Sequence, residues 1–217
     1  MKTLVGTTLA LALVATAAQA QTRPGSTEPV AGYAEVVAQS AFGNVTSQSY
    51  GAEIGFAVKP GVQIFVEAGR TRDAAPSALG ADAQTIAGYL TQSQSGVSFT
   101  VKQPVTFGVA GVKFQLPTQS KAQPYVLGGF GLARYTQDVH FLVSGTDVTG
   151  NLTTYGVVLG SDLSGSLTKP MMTLGGGVAV PVYQKLVIDL NYRFGRVFAS
   201  GGGMNINRAG VGLGVRF

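Results

Sequence analysis

From Leu186 to Phe194 the chain alternates without a break. Leu186, Ile188, Leu190, Tyr192 and Phe194 share one parity; Val187, Asp189, Asn191 and Arg193 share the other. A strand turns successive side chains to opposite faces, so this segment has an apolar side and a polar side. The last residues do the same. Ala209, Val211, Leu213, Val215 and Phe217 face one way, and Arg208, Gly210, Gly212, Gly214 and Arg216 the other. A soluble two-faced sheet is not expected to leave its most apolar face uncapped at the chain end. A strand with lipid on one side and a polar lumen on the other accounts for both the pattern and the ending.

Composition narrows the choice. Charged residues make up 12% of the chain, against about 25% in an ordinary soluble domain. Glycine, at 31 residues, is about twice its usual share of about 7%. The first twenty residues read as a secretory signal peptide: Met1-Lys2, an apolar run from Leu4, and an Ala18-Gln19-Ala20 cleavage site. Residues 21–29 read as a flexible periplasmic lead-in. Beyond the signal no apolar run is long enough for a membrane helix. An exported, charge-poor, glycine-rich chain of this kind can satisfy its backbone in lipid by closing a sheet.

Eight alternating stretches follow, near residues 31–41, 50–58, 62–69, 105–116, 125–137, 174–182, 186–194 and 208–217. In the fifth both faces are apolar or glycine. Tyr125, Leu127 and Tyr135 are expected outward there, which would turn Arg134 inward. Lys59-Pro60-Gly61 and Pro181-Val182-Tyr183-Gln184 read as tight turns, and Ser200-Gly201-Gly202-Gly203 as a flexible loop. The polar stretches Thr71–Gln103 and Asp138–Pro170 read as long loops. Short and long connections thus alternate, as in an up-and-down barrel with its long loops at one end.

These features together resemble the small eight-stranded outer membrane β-barrels of the OmpA/OmpX type, over residues 30–217. The resemblance implies an all-β, antiparallel, up-and-down transmembrane barrel in a bacterial outer membrane, surrounded by outer membrane lipids. It also implies that Val211, Leu213, Val215 and Phe217 form a C-terminal assembly signal read by the barrel-insertion machinery. No further domain is expected after the last strand.

The inward faces are predicted to carry Glu35, Glu53, Glu67, Lys113, Asp189, Arg193, Arg208 and Arg216. An eight-stranded barrel is just wide enough for side chains to fill it, so these charges are expected to pair rather than to line an ion path. His140, with Asp138 and Ser144 nearby, is the one arrangement that suggests nucleophilic chemistry. A lone loop histidine is more often simply solvated, and no Gly-x-Ser-x-Gly elbow is present. The absence of cysteine excludes disulfides and thiolate metal sites. No cofactor is expected, because the glycine-rich runs lie within strands and do not open helices. Removing Lys2 takes the formal charge from +5 to +4. These charges are scattered, which argues against nucleic acid. The expected role is non-enzymatic, structural or surface-interacting, with any extracellular ligand met by residues 71–103 and 138–170. A narrow conduit and a lipid-modifying enzyme are the alternatives.

Overall fold

Alternation sorts side chains to two faces, but a strand in lipid also needs hydrogen-bond partners along both edges. The computed structural model describes residues 32–160, 163–199 and 203–217. The expected signal segment 1–20, with Ala18 and Ala20, lies outside the described residues, as do the expected lead-in 21–29 and residues 200–202 of the last predicted loop. Among the described residues ten strands form: β1 (Gly32–Phe42), β2 (Ser47–Lys59), β3 (Val62–Thr71), β4 (Val97–Lys102), β5 (Val105–Gln115), β6 (Gln123–Val143), β7 (Thr146–Asp147), β8 (Ser164–Tyr183), β9 (Leu186–Val197) and β10 (Met204–Arg216). An α-helix, α1 (Ser77–Leu90), precedes β4. None of the described helices is long and apolar enough to cross a membrane.

Eight of the strands close on themselves. The order runs β6-β5-β3-β2-β1-β10-β9-β8, and β8 pairs back onto β6. The first and last of these strands meet where β1 pairs with β10, from Tyr33 opposite Arg216 to Phe42 opposite Asn207. Closure leaves the ring without a free edge. The connections at residues 60–61, 116–122 and 184–185 lie at the same end as Gly32 and Phe217, the turn end. The strand ends that flank residues 43–46, 72–104, 144–163 and 198–203 lie at the loop end.

The outer face is apolar over most of its height. Val36, Ile64, Val66, Phe130, Leu174, Ile188, Leu190, Val211 and Leu213 are all exposed. On β2 the apolar positions run from Tyr50 to Val58. That is roughly 27 Å of strand, or about 20 Å of height at a tilt of about 40°. Exposed aromatic rings sit toward both ends of the belt, Phe56, Phe114 and Tyr183 at the turn end and Phe42, Tyr50, Tyr192 and Phe198 at the loop end.

Four sequence expectations are corrected. Tyr125, Leu127 and Tyr135 point into the barrel, and Arg134 points out. The interior gains the Tyr125 hydroxyl as a donor to a buried carboxylate, while Val126, Phe130 and Leu132 supply the apolar outer face. The stretch from Thr71 to Gln103 is not merely a loop, since it holds α1 and β4. Asp138–Pro170 is shorter as a loop than expected, because β6 runs on to Val143 and β8 already begins at Ser164. Finally, β8 continues through Tyr183, so the turn into β9 is Gln184-Lys185, with Gln184 at a φ of 38°.

The added elements build a cap at the loop end. β4 continues the track of β5, pairing with β6 from Val97 opposite Val143 to Lys102 opposite Asp138. Leu79, Ala83, Ala87 and Leu90 form the buried face of α1. They pack with Val139 and Phe141 of β6 and with Val148, Leu152 and Leu163 beyond it. The Phe141 carbonyl accepts from the Val148 amide at 2.9 Å, and the Phe141 amide donates to Thr149 Oγ1 at 2.8 Å.

Candidate functional site

Two features are built from chemistry-bearing residues: the lumen of the barrel and the rim of the cap. In the lumen, alternate residues of β1, β2, β3, β5, β9 and β10 must point inward, which brings together charges far apart in sequence. Arg193 Nη1 lies 2.5 Å from Glu53 Oε2 and 2.8 Å from Glu67 Oε2, and Nη2 lies 3.4 Å from Glu35 Oε1. Lys113 Nζ pairs with Glu53 Oε1 at 2.6 Å. Arg208 Nη1 pairs with Glu67 Oε1 at 2.9 Å. One guanidinium fork thus holds three carboxylates, and two further cations bracket it.

Tyrosines and amides complete the layer. The Tyr33 hydroxyl donates to Glu53. Tyr125 donates to Asp189 Oδ2 at 2.6 Å, and Asn191 Nδ2 donates to the same oxygen at 3.0 Å. Gln39 Nε2 reaches Asn191 Oδ1 at 2.6 Å. Asp189 is therefore held by neutral donors rather than by a cation. Lys113 Nζ sits 4.1 Å from the Tyr33 ring centroid and 4.5 Å from that of Tyr125, a cation–π sandwich. Both tyrosines need glycine beside them. A Cβ at Gly55 would overlap the Tyr33 ring, and one at Gly177 would press on the Tyr125 hydroxyl.

Of the eight predicted interior charges, Glu35, Glu53, Glu67, Lys113, Asp189, Arg193 and Arg208 are all buried in this layer. Arg216 is not part of it. Its Nη2 donates to Gln123 Oε1 at 2.6 Å at the turn end, because β10 has there passed below the acids. A cavity of about 30 Å³ lies between it and the network, lined by Tyr33, Glu35, Lys113, Tyr125 and Asp189 among others. It has room for a water or two.

Above the charges the filling changes. Val105, Phe107, Ala133, Tyr135, Met171, Val197, Met204 and Ile206 form an apolar layer across the loop end of the lumen. The Arg208 guanidinium stacks on Phe107 at 4.2 Å and joins the two layers. Glu67, Thr71, Thr173, Arg193, Arg208, Val105 and Val197 have no exposed surface.

At the cap rim, His140 sits between two carboxylates. Its Nδ1 is 2.7 Å from Asp147 Oδ2 and its Nε2 is 2.8 Å from Asp138 Oδ1. Ser144 does not join it: the Ser144 hydroxyl donates to the Ser95 carbonyl at 3.2 Å. The imidazole therefore has no nucleophile beside it and acts as a clip across the β6–β7 hairpin. The hydrogen bond to Asp147, with that to Asp138, raises its pKa above the ordinary 6.5. Hydrogen bonds from Thr149, then from His140, lower Asp147 to about 2. A raised histidine pKa contributes stability below its unfolded value that is lost as pH rises through the folded value. The Asp147 contribution is present above its unfolded value and is lost as pH falls through about 2. The clip is thus firm in mildly acidic medium and loosens as the pH climbs. His140 is the single histidine of the chain, so its ring protons can be followed alone by NMR. They should titrate above pH 6.5 and move back toward that value in Asp147→Asn. Titration at or below 6.5 in the unaltered protein would remove the clip.

Among the described residues no group of three or more His, Cys, Asp or Glu could hold a metal ion. No protein-family model matches the sequence, and no curated protein matches it. Solved structures do resemble the fold. Neisserial surface protein A superposes with a TM-score of 0.54 at 14% identity, covering 86% of this chain and 96% of that one. A major outer membrane protein from Thermus thermophilus gives a TM-score of 0.53 at 12% identity, covering 86% and 98%. The chain has the fold of the small outer membrane β-barrels.

Proposed function

We propose that this protein is an integral, non-enzymatic outer membrane barrel that displays a folded cap at the cell surface for structural or contact roles. The observation that carries this reading is a lumen crossed by a charge layer and an apolar layer beneath loops that have their own hydrophobic core. The belt of exposed apolar side chains fits a bilayer, where a closed strand ring is one of the two viable spanning structures. In this reading the turn end and both chain ends face the periplasm. The outward column Val211, Leu213, Val215 and Phe217 is then the segment offered to the insertion machinery. The cap formed by α1, β4, β7 and the loop end of β6 is the surface available to partners, as loops on a rigid scaffold generally are.

The test is conductance in planar bilayers combined with surface proteolysis. The expected result is no stable single-channel steps, with cleavage in intact cells confined to residues 72–104 and 144–163. Reproducible steps from protein that shows the heat-modifiable folded form would overturn the filled-lumen reading in favour of a narrow conduit. Lipid A of altered mass in cells carrying the protein would overturn the non-enzymatic one.

A further inference from the structure

The outer wall carries one row that its own protein does not neutralise. Arg70 of β3 lies opposite Thr106 of β5, Thr106 opposite Arg134 of β6, and Arg134 opposite Thr168 of β8. All four face outward and are exposed. The row beneath, Ala68, Gly108, Leu132 and Pro170, is apolar. The arginines therefore stand on the first polar step above the belt. Two strand spacings place them roughly 10 Å apart. Among the described residues neither guanidinium is hydrogen-bonded or ion-paired. Thr136 and Ser166, one row higher, bond to each other at 2.7 Å. The next carboxylate up the outer face of β6 is Asp138, already taken by His140.

We propose that this wall binds the phosphates of an anionic lipid headgroup, with Arg70 and Arg134 as the two phosphate ligands and Thr106 and Thr168 as hydroxyl donors. The inference rests on the membrane reading above. A guanidinium is tolerated on a barrel's outer face at the headgroup level and is costly lower down, which fixes the height of this row. Its planar fork matches phosphate oxygens in pairs. A lipid suits the row better than a free anion because the apolar strip begins directly below. Ala68 and Gly108 are small, so an acyl chain can lie close to the wall while its headgroup meets the arginines.

The experiment compares the unaltered protein, the double variant R70Q/R134Q and the control K59Q/K121Q, which removes the same charge at the turn end. Each is inserted into zwitterionic nanodiscs carrying a small share of a bisphosphorylated glycolipid or its dephosphorylated form, and bound lipid is read by native mass spectrometry. The unaltered protein and the control should retain the phosphorylated form about tenfold more than the dephosphorylated one, and the double variant should lose that preference. Equal retention of both lipids by the unaltered protein would overturn the proposal, as would an unchanged preference in R70Q/R134Q. Release of the lipid by excess inorganic phosphate would overturn it in favour of a free-anion site. Insertion is scored separately by heat-modifiable migration. Failure to insert overturns the membrane reading, whereas insertion without a phosphate preference overturns this proposal alone.

Discussion

Arg193→Met should destabilise the barrel by about 3–5 kcal/mol or prevent it from folding, the cost expected when one partner of a buried charge network is removed. Arg193 has no exposed surface and holds Glu53, Glu67 and Glu35 at once. Its loss leaves four buried acids, Glu35, Glu53, Glu67 and Asp189, facing Lys113 and Arg208. The measurement is urea unfolding in lipid vesicles, followed by heat-modifiable migration. A change below about 1 kcal/mol, the range of an exposed ion pair, would show that the network is dispensable. The companion variant replaces all six paired members, Glu35, Glu53, Glu67, Lys113, Arg193 and Arg208, with apolar residues of similar volume. It should cost less than Arg193→Met alone, because it leaves none of these charges buried without its partner.

The second large effect concerns backbone spacing in the wall. Gly131 of β6 faces inward, and a Cβ there would overlap the Gly108 carbonyl oxygen of β5. Gly131→Ala must therefore push two paired strands apart, at a cost of about 1–3 kcal/mol. Gly108, opposite Leu132, faces outward with nothing near the position of its missing Cβ. Gly108→Ala should be neutral or stabilise by up to about 1 kcal/mol, through the reduced freedom of the unfolded chain. The same vesicle titration compares them. Equal effects at the two positions would mean that the close approach at Gly131 is not a constraint.

The two variants also mark how far the sequence could be read. Where one parity is clearly apolar, as in Leu186–Phe194 or Val62–Gly69, the facing of every residue is legible. The interior charges follow from that facing, since inward positions on a narrow ring have nowhere else to go. In β6 both parities are apolar or glycine between Tyr125 and Ala133, so alternation carries no sign there. The facing is set by long-range contacts instead, chiefly Tyr125 with Asp189 and with the glycine at 177. α1 leaves only a faint signal. Leu79, Ala83, Ile86, Ala87 and Leu90 recur at helical spacing, but alanine is too weakly apolar to stand out in a polar stretch. β4 and the extension of β6 both carry valine and phenylalanine, as the wall does, and continue the barrel's own ladders, so nothing local marks where the wall becomes the cap. Arg216 has the right parity for the network but the wrong height, and parity alone says nothing about depth.

The layered filling of the lumen has a consequence for the cell. Charges occupy the turn-end half of the lumen and apolar side chains seal the loop-end half, so neither ions nor oily solutes meet a path that suits them throughout. On the function proposed above, a barrel of this kind adds surface to an outer membrane without adding leak. The number of copies an envelope can carry is then bounded by membrane area and by the supply of insertion machinery, not by the permeability barrier that the envelope exists to keep.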